Sequence, residues 1–559
     1  MARRLTITAT LVVSSLALSL PAAHADHTEP STPLSPTSGI AGTPNLQDPM
    51  GSWTFIRNFQ ANPGSDLEIF RRGSGRDLKV FASTGTLGQA DEASVGQRVI
   101  RLRKANQPAI SWMFDHGSAN CPTANPAGTT GLQHDVQVTP QSNPQLLIDA
   151  TDATGRCHDP GSGQAGGGLE FIDISQVGRG GAEPREIHLL RLFGFSHNHT
   201  VDARRPWIVY NSSSDFTGRP WIDVVDIRSC LDLGGNLASK RDQCRPRVYR
   251  IPFEPNWTRQ RIDGELVPAS EAACHDITAR GGRIYCAGLN ATVVFDVSDL
   301  TNSVGRPRGT PLDCEVVAGT DTDAMVTDCS LDGDLDGPSA TGFELVGKFN
   351  HPGRDCSPLP GAQTNCNSNT EVASRDGLSV AHESDPLFGG RFVASTDERG
   401  GGVVPGGASC SPEEENTHGN GGISILRVGD DGRIKYAKQP DGTKAIWIGE
   451  VVVPAVTFCT VHVIEKVPGE QRLIVAYYSQ GIKILDYWRD SNGRWLFRET
   501  ASLVLPNAAT WAAEDFLIKR KPNGDRVYFL VASDIARGID VVKWRGQPNP
   551  HGSSPPAGL

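Results

Sequence analysis

The sequence predicts an all-β fold, a seven-bladed β-propeller closed by an N-terminal strand. Three observations predict it. Segments of one appearance recur seven times: Val99–Arg103, Leu169–Ser175, Ile222–Arg228, Val293–Asp299, Ile423–Val428, Ile482–Trp488 and Ile539–Trp544. Each reads as the third strand of a four-strand unit, and stacked units that bury one another's apolar faces are the mark of a propeller. The last unit stops after three strands, while a strand without a partner, Ser52–Phe59, stands near the start. Finally, 61 glycines and 38 prolines among 559 residues suit many short strands and turns. A sandwich of seven strands would need only about 100 residues.

The clearest unit runs from Cys274 to Leu300. Asp276–Ala279 alternates apolar and polar residues, Gly281-Gly282 supplies a turn that needs positive φ, and Arg283–Ala287 and Thr292–Val297 are strands rich in β-branched and aromatic residues. In chain order, SDLEIF, LKVFAST, QRVIRLR and AISWMF make the first unit. HDVQV, LLIDAT, LEFIDIS and EIHLLRLF make the second, and HTVDA, WIVYNS, IDVVDI and RVYRIPF the third. The Cys274 stretch with FELVGKF is the fourth, interrupted by an acidic, cysteine-bearing insertion at about 302–340, expected as a disulfide-pinned loop. LSVAHE, RFVASTD, GISILRV and AIWIGEVVV form the fifth; TVHVIE, RLIVAYY, IKILDYW and RWLFRET the sixth; AEDFLIK, RVYFLVAS and IDVVKW the seventh.

Before the propeller, residues 1–25 read as a secretion signal: Arg3-Arg4, an apolar run from Leu5 to Leu20, and the small-x-small site Ala23-His24-Ala25. The organisation expected is therefore 1–25 signal peptide, 26–50 flexible lead-in, 51–546 propeller and 547–559 tail. The 12 cysteines all follow the signal and no CxxC pair occurs, so in an exported chain they are expected as disulfides. Pairing of near neighbours gives Cys121–Cys157, Cys230–Cys244, Cys274–Cys286, Cys314–Cys329, Cys356–Cys366 and Cys410–Cys459; Cys274 and Cys286 are expected to face each other across the Gly281-Gly282 hairpin.

These units resemble the LVIVD-repeat family of β-propellers. The likeness rests on His275-Asp276, the strand IYCAG (Ile284–Gly288) and VVFDVSD, with His134-Asp135 and LEFIDIS as a looser copy. It covers most of the mature chain and implies a fold, since the family is defined by its repeat and not by a shared reaction.

Chemistry is sought in the histidines. A propeller's first strands line the axis, so residues at their starts converge there. His134, His199, His275, His382 and His462 occupy that position in five units, and Glu514 and, loosely, Asp66 stand in for it in two others. Loop histidines His116, His158, His351 and His418, with His197, bring 10 of the 14 histidines to one face; His188 falls on an outer strand. Neutral imidazoles gathered in a channel suit a transition metal, with copper or iron first and zinc next. The expected metal ligands are His134, His199, His275, His382 and His462, with Glu514 and His197 as catalytic groups. An inward His-Asp pair that merely joins neighbouring blades is the structural counterpart of this reading.

Two function classes follow. One is a secreted metal-dependent oxidase or oxygenase acting on a small molecule; the other is a non-catalytic scaffold binding a peptide, glycan or cell-envelope partner. A monomer is expected, with no membrane span. A net charge of −10 without a Lys/Arg run gives no nucleic-acid footprint. No GxSxG elbow or phosphate loop is present. Asp332, Asp334 and Asp336 alternate as in a calcium loop but lack its closing glutamate, and they read, like Glu413–Glu415, as solvated acidic loops.

Overall fold

The computed structural model describes residues 45–47 and 52–551, except for 60–63, 87–96, 103–110, 115–131, 153–167, 180–181, 193–194, 215–219, 253–258, 263–264, 269–273, 289–290, 319–324, 330–339, 352–377, 379, 399–420, 451 and 453–459. Seven sheets, antiparallel among their own blade strands, follow one another as blades, and a separate hairpin pairs Arg259–Ile262 with Glu265–Pro268. Blade 1 holds Gly64–Arg72, Lys79–Thr86, Gln97–Leu102 and Ser111–Phe114, and blade 2 holds Leu132–Thr139, Leu146–Asp152, Gly168–Asp173 and Arg185–Arg191. Blade 3 is Phe195–Val201, Ile208–Ser214, Pro220–Asp226 and Arg247–Pro252; blade 4 is Asp276–Arg280, Arg283–Gly288, Ala291–Asp296 and Glu344–Asn350. In blade 5, Ala381–Leu387, Phe392–Asp397 and Ile423–Val428 are followed by Ile434–Tyr436 and Ile446–Trp447, which share the outer place. Blade 6 is Ile464–Lys466, Arg472–Ala476, Ile482–Arg489 and Trp495–Val504. Blade 7 is Thr510–Arg520, Arg526–Asp534 and Gly538–Gly546, completed by Trp53–Phe59 from the start of the chain.

The closing strand runs antiparallel to the last one, from Trp53 opposite Trp544 to Phe59 opposite Ile539. The core shows why the ring must close. Successive strand residues point to opposite sheet faces, and a propeller sheet is covered on both. In blade 6, Leu473 and Val475 pack toward blade 5 while Ile474 packs toward blade 7. Seven buried apolar clusters result, one at each junction between neighbouring blades, including blade 7 with blade 1.

Side chains of the inner strands also join the blades. A carboxylate or amide of one blade accepts a backbone N–H from the next: Asp66 Oδ2 from Val136 (3.4 Å), Asp135 Oδ2 from His199 (2.8 Å), Asn198 Oδ1 from Ile277 (3.3 Å) and Glu383 Oε2 from Ile464 (2.6 Å). In His197-Asn198 and His382-Glu383 the structural half of the pattern is thus carried by the amide or acid, and the histidine lines the axial well.

Three features differ from the expectation. The acidic insertion is more than a loop: Glu315–Ala318 and Met325–Asp328 form a hairpin that reaches back past blade 3 and extends blade 2, Met325–Asp328 running parallel to Arg185–Arg191. Backbone pairing decides this, since the outer edge of blade 2 offers unpaired groups that a strand can satisfy. In the expected lead-in, Asn45–Gln47 pairs with Ser502–Val504 at the outer edge of blade 6. Finally, the Gly281-Gly282 turn, with φ +65° and +84°, sets Arg280 opposite Arg283, so Cys286 lies opposite Ile277 rather than Cys274. Cys274 still reaches it, from just before the strand, with a Cα–Cα distance of 5.0 Å.

The disulfides Cys230–Cys244, Cys274–Cys286 and Cys314–Cys329 are present, and among the described residues no cysteine is free. The pairs involving Cys121, Cys356 and Cys410 lie outside the described residues, as do the signal segment and Asp332, Asp334 and Asp336. Each local bridge is expected to stabilise by about 2–4 kcal/mol, chiefly by restricting the unfolded chain. Thermal unfolding with and without a reductant checks this: the reduced protein should melt earlier, and an unchanged transition contradicts it.

Candidate metal centre in an axial well

A well of about 490 Å³ runs along the axis. Its floor is set where inner strands begin. There the rings of His197 and His275 lie 4.3 Å apart, His275 and His382 4.4 Å, His382 and His462 4.0 Å, and His462 and Trp511 4.0 Å. Blades 3 to 7 therefore contribute one continuous arc of aromatic rings. His275, His382 and His462 are buried, held by main chain that belongs to the blades: His275 N–H donates to Ala287 O (2.6 Å) and His462 N–H to Ala476 O (3.0 Å).

The residue that joins these histidines into a possible ligand set is Glu398, which follows the second strand of blade 5. One ligand atom each from His275, His382 and Glu398 lie within 4.8 Å of one another, and all three residues are buried. Three donors that share one ion at bonds of about 2.2 Å stand about 3–4 Å apart, so a bound ion would draw this set together by up to roughly 1 Å. Glu398 Oε2 is 3.6 Å from His382 Nε2, and Oε1 is 3.8 Å from His462 Nε2. Tyr478 donates its hydroxyl to Glu398 Oε1. His462 Nδ1 is 2.9 Å from Trp511 O; a carbonyl only accepts, so Nδ1 carries the proton and Nε2 presents its lone pair on the Glu398 side. Donation of one ring N–H to a carbonyl is the arrangement that orients metal-binding histidines. Burial pushes the Glu398 carboxyl up to about 8, against the opposing effect of the Tyr478 hydrogen bond.

His199 lies two residues beyond His197 on the same inner strand and approaches Asp135 of blade 2. Fully buried, it places Nδ1 3.2 Å from Asp135 Oδ2, and desolvation pushes its pKa down to about 3, so it stays neutral. His134 belongs to the inner strand of blade 2, and its side chain lies outside the described residues, as do His116, His158 and His418. His351 lies against Thr292 (Nε2 to Oγ1, 3.3 Å), and His188 on an outer strand contacts Thr327 (Nε2 to Oγ1, 2.9 Å). Glu514 lines the well, but its charged neighbours are Glu68, Glu465, Arg71 and Asp515; the place beside His462 is filled by Trp511.

Beyond the floor the wall turns acidic. Inner strands advance about 3.3 Å per residue, so acids one to three residues past the histidines form a layer of their own: Asp276, Glu383, Asp385 and Glu465, joined by Asp66, Glu68 and Glu514. Arg71, Gln141 and Arg280, exposed at the rim, mark the mouth where the inner strands end. The described opening thus lies opposite the end where the loop histidines were expected to gather. Desolvation raises Glu68 to about 8 and Glu465 to about 7, and raises Glu514 as well, with nearby carboxylates adding to each.

A pH dependence follows from these three acids. Their folded pKa values lie above the usual 4.3 of an unfolded glutamate, so between about pH 4 and 8 the folded chain holds more protons, and stability falls as pH rises through that window. His188 and His199, both depressed to about 3, act oppositely below about pH 6.5. The carboxylates act alone above it. Metal-free protein should therefore melt several degrees lower at pH 8 than at pH 6.5, an effect softened because Glu68, Glu465 and Glu514 keep partial contact with the well. A melting temperature that rises over this interval contradicts the assignment.

No family model matches this chain, and no curated protein matches it. Among solved structures it is similar to a periplasmic gluconolactonase of Pseudomonas aeruginosa, PpgL (11% identity, 88% of this chain and 98% of that chain, TM-score 0.38). It is also similar to the Swd1 β-propeller domain of Myceliophteria thermophila (9% identity, 90% and 99%, TM-score 0.40) and to Sqt1 from Chaetomium thermophilum (9% identity, 87% and 85%, TM-score 0.38). The seven-bladed fold agrees with the propeller that the LVIVD-repeat resemblance implies, and no family model bears out that family itself.

Proposed function

We propose that this chain is an extracellular metal-binding propeller that holds one divalent transition metal through His275, His382 and Glu398 at the floor of its axial well, with His462 beside them. The observation that carries the reading is the convergence of three buried ligand atoms from blades 4 and 5 within 4.8 Å. Two imidazoles and one carboxylate, with space on the well side, are the donor set of non-haem iron(II) oxygenases. Iron(II) is accordingly the first choice, with copper and zinc as competitors for the same nitrogen and oxygen donors. A small-molecule oxidase or oxygenase is the activity this set would serve, and the well offers a volume within the range of small-molecule sites. As pH rises toward 8 and Glu68 and Glu465 ionise, the acidic wall would draw cations toward the floor.

Three disulfides support an oxidising compartment. No helix among the described residues is long and apolar enough to cross a membrane. The test is elemental analysis of protein supplied separately with iron(II), copper(II) and zinc and then dialysed. About one equivalent of one metal is expected; retention of none leaves the binding scaffold as the better account.

A further inference from the structure

We propose that Tyr478 is a positioning residue that fixes which oxygen of Glu398 faces the metal, an inference that rests on the metal reading above. Tyr478 occupies the turn between Arg472–Ala476 and Ile482–Arg489 in blade 6, yet its hydroxyl crosses to blade 5 and donates to Glu398 Oε1. Its backbone is in the left-handed region, φ +35°, where a bulky side chain is disfavoured. The turn nevertheless places a fully buried tyrosine there and holds it from two sides: Gly481 N–H donates to Tyr478 O (2.9 Å), and so does Thr510 N–H from blade 7 (3.0 Å). The ring stands edge-on to His462 and Trp511, at 5.1 and 6.1 Å.

A backbone held in an unfavourable conformation, with its side chain aimed at one oxygen of a buried acid, is the arrangement expected where orientation matters. With Oε1 engaged by the phenol, Oε2 is the oxygen on the His382 side, 3.6 Å from Nε2. One oxygen is then presented to the ion, and the carboxylate is kept from swinging or chelating through both. Loss of an outer-shell partner of this kind costs about 10–100-fold in metal affinity.

Tyr478→Phe removes only the hydroxyl and keeps the ring against His462 and Trp511. Cobalt(II) is titrated into dialysed full-length protein and followed by its visible absorption, alongside thermal unfolding. Wild type should bind one cobalt; Tyr478→Phe should bind it about 10–100-fold more weakly, with a displaced absorption band and a nearly unchanged melting temperature. Glu398→Gln, which keeps an oxygen for the phenol but loses the charge, should bind far more weakly than either. If wild type and Tyr478→Phe share affinity and spectrum, Tyr478 does not position Glu398, while the metal reading stands. A lower melting temperature with an unchanged spectrum also overturns the proposal by making the role purely structural. If wild type takes up no cobalt, the metal reading itself fails.

Discussion

A chain beginning after Phe59 is expected to lose its cooperative unfolding transition and to aggregate. The strand Trp53–Phe59 supplies the outer edge of blade 7, and its removal exposes the hydrogen-bonding groups that Ile539–Trp544 turn toward it. It also removes Trp53, which is 6% exposed and lies in the apolar cluster between blades 6 and 7, its ring centroid 6.2 Å from that of Trp544. Truncating a buried tryptophan alone costs about 3–5 kcal/mol, a large part of the roughly 5–15 kcal/mol that keeps a typical domain folded. Asn58 adds a tie of its own, donating to Arg537 O and Asp540 Oδ1 at 2.8 Å each. Trp53→Ala should be the milder case, folded but melting well below wild type. Calorimetry and size-exclusion chromatography of the two variants check this. A truncated chain that stays monomeric and unfolds as one transition at the wild-type temperature would show that the ring does not depend on its closure.

The closure was legible in the sequence because it left a mismatch in the count: three strands at one end and a spare at the other. Third strands were legible because they are covered on both faces and so read as near-continuous apolar runs, as in Ile482–Trp488. Near-neighbour pairing located the disulfides of the described residues, since local turns bring such cysteines together. Glu398 was not legible. It follows Ser395-Thr396-Asp397 and precedes Arg399 and a run of glycines, a context that reads as a solvated turn; only the stacking of blades 5 and 6 buries it. The acidic wall escaped notice for a related reason. Alternation marks Asp276, Glu383 and Glu465 as outward polar positions of half-buried strands, and in a propeller's inner strand the outward side is the axis. The return of Met325–Asp328 to blade 2 depends on a sheet edge far away in sequence, which no local pattern records.

Replacing a residue of the proposed floor set should have the largest functional effect. A structural zinc site with four ligands contributes about 10–16 kcal/mol, so one ligand is worth about 2.5–4 kcal/mol, or roughly 10²–10³-fold in affinity. His275→Ala, His382→Ala and Glu398→Ala should each lower affinity by that factor and leave purified, dialysed protein nearly metal-free. His188→Gln, which disturbs only a buried contact with Thr327 on an outer strand, should cost stability and leave metal content unchanged. His199→Gln separates two versions of the site. If the whole histidine ring shared the ion, it would lose metal like the others. With His199 held beside Asp135 and the ion held by His275, His382 and Glu398, it should bind within a fewfold of wild type. Elemental analysis after dialysis reads all five variants on one scale. Equal metal content in wild type and in the His275, His382 and Glu398 variants would place any bound metal elsewhere in the protein.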